Sequence, residues 1–142
     1  MLKNNLNNQG MSLIETMVAL LILMVTFVGL IQAFPFSQSI VKTAENSTKA
    51  AYLAQNELEQ ILALNYDSIA TGTIEIKQRL SADPVNYLYY FQRETTVSYL
   101  DSNWQPSVND TGIKKISTTV YYTNSISKKE NSYSISALSS QR

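Results

Sequence analysis

Glu15 stands immediately before a run of 21 residues, Thr16 to Phe36, that contains no charge. If that run spans a bilayer, the carboxylate falls within or just under it. Burying an acid there costs about 2.5–3.5 kcal/mol at a helix centre and less near the interface. Such a residue needs either a cationic partner or solvation at the headgroup level. Other residues with chemical potential are less well placed. Asp67, Glu75, Asp83, Glu94, Asp101 and Asp110 are scattered singly, no Ser has an evident Lys partner, and the chain has neither His nor Cys. That composition removes disulfides, thiolate nucleophiles, zinc sites built on Cys or His, and the usual general base near neutral pH. The four Gly form no phosphate-binding loop. Asp101, Asn103, Asn109 and Asp110 offer oxygen ligands of the kind calcium prefers, but their spacing matches no ligand loop and Asp and Asn are ordinary turn residues. No enzyme is expected, and no cofactor.

The elements that must position Glu15 follow from the distribution of hydrophobicity. Met17–Phe36 holds most of it, and the remainder of the 142 residues is rich in Ser, Thr, Asn and Tyr. At 1.5 Å per residue the uncharged run reaches roughly 30 Å as a helix, the thickness of a hydrocarbon core. A helix apolar all round, buried in a soluble protein, would need more covering than the polar remainder supplies. A secretory signal is the alternative, with Lys3 as its basic region and Ile31-Gln32-Ala33 as its cleavage site. Against it, the charge nearest the apolar run is the acidic Glu15, and the run ends in bulky Phe34-Pro35-Phe36. Orientation stays open on charge alone, since Lys3 and the initiating amine precede the run while Lys42 and Lys49 follow it. Basic and acidic residues are equal at 11 each, so no global field draws the chain to nucleic acid.

The string around Glu15, Gly10-Met11-Ser12-Leu13-Ile14-Glu15-Thr16-Met17-Val18-Ala19-Leu20, resembles the class III leader junction of type IV pilins and type II secretion pseudopilins. The likeness covers Gly10–Leu30 and is nearest to minor pilins of the PilV kind and to I-type minor pseudopilins. It implies a leader over residues 1–10, cleavage between Gly10 and Met11 by a prepilin peptidase, N-methylation at Met11, and Glu15 as the fifth mature residue, acting in assembly. Implied partners are that peptidase, other pilins or pseudopilins, an assembly platform membrane protein, and the membrane itself. The implied location is the inner membrane, single-pass with a cytoplasmic amino terminus, followed by entry into a pilus or pseudopilus. Met11 departs from the Phe frequent at that position in major pilins. Physically, cleavage would create an α-amine at Met11, and in a bundle of such helices Glu15 of one chain would pair with the amine of a neighbour, offsetting two costly charges and setting axial register.

The expected organisation is a leader (1–10), a hydrophobic transmembrane and assembly helix (11–36), and an exported globular domain (37–142). The fold class is α+β, with a long amino-terminal helix, half transmembrane and half amphipathic, packed on a small antiparallel sheet. Residues 37–64 lack Gly and Pro and carry Ile40, Ala44, Ala51, Ala54, Leu58 and Ile61 as the expected buried stripe. Pro35 is expected to kink or loosen the helix. Strands are expected within 73–140, at Thr73–Lys77, Tyr87–Leu100, Lys115–Thr123 and Tyr133–Leu138. Seven of the nine Tyr lie within 87–133 and read as cross-strand pairs and core. Lys114-Lys115 and Lys128-Lys129 read as turn and edge charges. The competing functional reading is a membrane-anchored or secreted β-rich binding or adhesion module that does not form filaments. Nucleic-acid binding is disfavoured by the charge balance.

Overall fold

A computed structural model describes residues 12–124 and 126–141, and the chain divides into two compact units, Met1–Gln38 and Ser39–Arg142. One helix, α1 (Leu13–Leu62), contributes to both, and its helical hydrogen bonding passes Pro35 without ending there. As expected of a residue that kinks or loosens a helix without ending it, Pro35 lies inside α1. In the first unit the helix is apolar around its whole circumference and exposed throughout.

In the second unit α1 supplies Ala50, Ala54, Leu58 and Ile61 to the core, at spacings of four, four and three that keep them on one face. The expected stripe fails at its amino-terminal end. Ile40 and Ala44 are exposed, whereas Thr43 and Ser47 are half-buried on the inward face. The Thr43 hydroxyl donates to the Ser39 carbonyl at 2.9 Å, so it can turn inward with its polar group already satisfied. Ala50 and Ala54, fully buried, let the helix backbone approach the sheet closely, which larger side chains would prevent.

After Leu62 the chain makes a 3-10 turn at Tyr66–Ser68 and enters an antiparallel sheet of β1 (Gly72–Arg79), β2 (Phe91–Leu100), β3 (Pro106–Ser107), β4 (Ile113–Thr123) and β5 (Glu130–Ser140). The order is β1-β2-β4-β5, with β3 a two-residue partner at the end of β2. The expected second strand begins at Phe91 and not at Tyr87, because Tyr87–Tyr90 coils into a 3-10 turn capped by the Asn86 side chain, which accepts from the Leu88 amide. The last two strands start earlier than the residue pattern suggested. Gly112 precedes β4 with φ +79, a left-handed conformation that Gly tolerates, and its amide donates to Asp110.

Period-two alternation is clean in β4, where Lys114, Ile116, Thr118, Val120 and Tyr122 are all buried. Two apolar clusters result. Ala50, Ala54, Phe91, Val120 and Tyr122 form one, while Leu58, Ile61, Ile69, Val97 and Ile116 form the other. Between them lies a polar waist. The paired residues Thr95 and Thr118 are fully buried, with hydroxyls 3.4 Å apart. Arg93 binds Glu75 of β1 through Nε at 2.6 Å and Nη2 at 3.2 Å, and Glu57 of α1 through Nη2 at 2.9 Å. One guanidinium thus joins the helix to two strands, using a planar fork that no Lys could match.

Candidate functional site

The amino-terminal helix is the element built for function. Ser12 precedes its first residue, and the Ser12 carbonyl accepts from the amides of Glu15 at 2.9 Å and Thr16 at 3.2 Å, closing the first turn. Glu15 is exposed in that turn, where the unpaired amides and aligned peptide dipoles favour a carboxylate. Ser12-Leu13-Ile14-Glu15 also has the spacing of a capping box, a local signal the sequence reading passed over. Among the described residues the Glu15 carboxylate accepts no hydrogen bond, so the box is not closed by side chains and the carboxylate remains available to another molecule. Gly10 and Met11, the expected cleavage and methylation positions, lie outside the described residues.

Carboxyl-terminal to Glu15 the helix surface is suited to lipid or to neighbouring helices. Met17, Leu21, Met24 and Phe27 are each more than half exposed, which water penalises heavily. The hydroxyls in this stretch are neutralised internally. Thr16 donates to the Leu13 carbonyl at 2.8 Å, and Thr26 to the Leu23 carbonyl at 2.8 Å. Such back-bonding removes the cost of carrying a hydroxyl into a medium without water. Among the described residues this is the single helix long and apolar enough to cross a membrane.

The other candidate residues are structural parts of the globular unit. Asp101 Oδ1 accepts from the Asn103 and Gln105 amides, each at 2.8 Å, and so builds a turn. Asp110 Oδ1 accepts from the Gly112 amide at 2.9 Å and from the Tyr66 hydroxyl at 2.5 Å. Among the described residues no group of three acidic, His or Cys side chains is arranged to hold a metal ion. Lys114 overturns the expectation of a turn charge. It is 3 % exposed, donates to the Tyr66 and Ile69 carbonyls at 2.8 Å each, and lies 4.1 Å from the Tyr66 ring centroid. Its ammonium gives the Ile69 carbonyl a donor and the Tyr66 carbonyl a second one, beside the Ile69 amide at 3.2 Å.

Tyr66 and Asp110 make this corner sensitive to pH. Burial and the Asp110 carboxylate push the Tyr66 hydroxyl well above the usual phenol range, while the hydrogen bonds from Tyr66 and Gly112 hold Asp110 below the usual carboxylate range. A depressed folded-state value means that Asp110 contributes stability above its unfolded value, lost as acid protonates it. A raised one means that Tyr66 contributes stability below about pH 10, lost as base ionises the unfolded phenol. Asp110→Asn is expected to flatten the acid limb of a stability profile measured by urea unfolding from pH 3 to 7. Tyr66→Phe is expected to flatten the alkaline limb above pH 9. Unchanged limbs in both variants would remove this coupling.

Neither the curated proteins nor the solved structures contain a match to this chain. The amino-terminal part of the chain does have one: residues 5–31 match the family model of the prokaryotic N-terminal methylation motif, a span that holds Gly10, Met11, Glu15 and the first apolar turns of α1, and this supports a pilin- or pseudopilin-like protein anchored in a membrane by that helix.

Proposed function

We propose that this chain is a minor pilin or pseudopilin, a structural subunit cut between Gly10 and Met11, N-methylated at Met11, and inserted into a filament through α1. The carrying observation is the coincidence of a methylation motif over residues 5–31 with a Glu15 carboxylate that has no hydrogen-bond donor among the described residues and stands in the first turn of a helix that is apolar and exposed as far as Gln38. In a bundle of such helices, the new amine of one subunit and Glu15 of the next neutralise each other while the apolar turns bury one another's surface. The leader stays in the cytoplasm and the globular unit is exported. The chain itself catalyses nothing; the peptidase, a methylase, the assembly platform and other pilins act on it or join it.

The test is the intact mass of protein taken from the native host's membranes. A chain starting at Met11 and carrying one extra methyl group is the expected result. A start at Phe34 means a secreted β-rich module, and a retained leader means a plain membrane anchor; either sinks the filament reading. Independently, Glu15→Ala is expected to remain in the membrane while its incorporation into sheared filaments falls about tenfold, the size of one lost charge-assisted contact. Equal incorporation would remove the charge pair from the mechanism.

A further inference from the structure

The globular unit contains a cavity of about 420 Å³ whose wall chemistry is out of keeping with the rest of the surface. Lys42, Asn46 and Lys49 of α1 form one side, Tyr87 and Tyr90 another, and Lys128 of the turn between β4 and β5 a third. Among the described residues the lining contains three ammonium groups and no carboxylate. Over residues 39–142, basic and acidic side chains balance, so this cluster of three is a local feature and not part of a net positive charge on the unit.

Glu45 pairs with Lys49 at 2.6 Å, and the pair leaves Lys49 5.5 Å from the Tyr87 ring centroid. Among the described residues Lys42 and Lys128 form no salt bridge. Lys128 is also held in a left-handed conformation, φ 57, which is uncommon for a residue with a Cβ. The turn around it is fixed by Asn124, whose side chain accepts from the Ile126 and Ser127 amides and whose carbonyl accepts from Lys128. Tyr87 and Tyr90 are 54 % and 66 % exposed, and since Lys49 stands over the Tyr87 ring, Tyr90 is the more open of the two.

We propose that this cavity binds an acidic saccharide, a pyranose unit carrying a carboxylate or sulfate group. Its volume is that of an ordinary ligand site. The ammonium groups of Lys42 and Lys128 meet the anion. A phenol ring takes the apolar C–H face of the sugar, and the Asn46 amide and the Thr123 hydroxyl reach its hydroxyls. The backbone around the cavity decides against a peptide. Residues 42–49 are helical, the Tyr89 amide donates to Asn86, and the Asn124 amide donates to Lys129. A peptide main chain therefore finds few free partners there, whereas peptide recognition commonly relies on them. A nucleic acid strand would need a basic track leading away from the cavity. Lys114 is instead buried and Lys77 is bound to Glu130 at 2.8 Å.

Calorimetric titration of the full-length protein in non-ionic detergent tests this with four probes: tetragalacturonate, maltotetraose, hexaglutamate and hexathymidylate. Tetragalacturonate is expected to bind tightest, with maltotetraose weaker by about tenfold or more. Lys42→Glu with Lys128→Glu is expected to abolish the preference, and Tyr90→Ala to weaken binding severalfold, while Lys115→Glu, exposed and outside the cavity, leaves it unchanged. Circular dichroism identical to wild type keeps a misfolded variant from counting. No heat with tetragalacturonate, equal binding of maltotetraose, or tighter binding of either hexamer would each overturn the proposal. A carboxylated and a sulfated disaccharide compared in a second titration identify which anion the site takes.

Discussion

Lys114→Ala is expected to lower the stability of the globular unit by about 2–4 kcal/mol, and its melting temperature by roughly 10–20 °C. The ammonium holds the carbonyls of Tyr66 and Ile69 at the point where the chain turns from α1 toward β1. Truncation leaves the Ile69 carbonyl facing a space too enclosed for free hydration, an orphaned buried group that costs about 1–3 kcal/mol, while the Tyr66 carbonyl keeps only its 3.2 Å bond from the Ile69 amide. The side chain also fills volume beside the Tyr66 ring and within 5.6 Å of the Tyr99 centroid, so a cavity term adds to the loss. Lys114→Met separates the two causes, since it keeps most of the stem and loses the donors. If hydrogen bonding dominates, Met is nearly as damaging as Ala in thermal melts followed by near-ultraviolet circular dichroism. A Met variant within about 0.5 kcal/mol of wild type, the scatter of ordinary surface substitutions, would assign the effect to packing alone. Lys115→Met, its exposed neighbour, supplies that baseline.

Lys114 also shows where sequence reading loses its hold. In a chain of zero net charge the pair Lys114-Lys115 reads as turn and edge charges beside a strand expected from Lys115, and lysines are almost never fully buried. The strand begins at Ile113, and the inward phase of Ile116, Thr118, Val120 and Tyr122 extends back to Lys114. What makes that burial tolerable is a pair of carbonyls 45 and 48 residues away, a non-local fact that no window in the chain contains. The same holds for Arg93, whose partners are on α1 and β1. On α1, apolarity points to Ile40 and Ala44 while Thr43 and Ser47 face inward, because hydrophobicity ranks residues by type and does not register that a hydroxyl such as that of Thr43 has a local acceptor. Features that are local in sequence were legible. The α+β class, the helix onset near Glu15 and the four long strands follow from uninterrupted apolarity, Gly and Pro placement, and alternation, all readable within a dozen residues.

Arg93→Ala is expected to cost about 3 kcal/mol, for a reason distinct from lost attraction. With Arg93 removed, the carboxylates of Glu57 and Glu75 remain at side-chain exposures of 17 % and 14 % and face the same space without a cation. Breaking a buried ion pair on one side costs about 3–5 kcal/mol, and the residual exposure here places the effect at the lower end. The exposed pair Lys49–Glu45, at 40 % and 55 %, is the internal comparison: an i,i+4 helix pair in water is worth about 0.3–0.5 kcal/mol. Urea unfolding of Arg93→Ala against Lys49→Ala should therefore differ severalfold in the midpoint shift. A triple replacement, Glu57→Leu with Glu75→Val and Arg93→Met, is expected to recover most of the loss, because well-packed apolar residues avoid the desolvation of three charges. Recovery would mean that the triad's contribution is to fix which face of α1 meets β1 and β2, with little net stability of its own. A triple variant as unstable as Arg93→Ala would instead make the ion triad a true source of stability, and with it the join between α1 and the sheet that carries the globular unit.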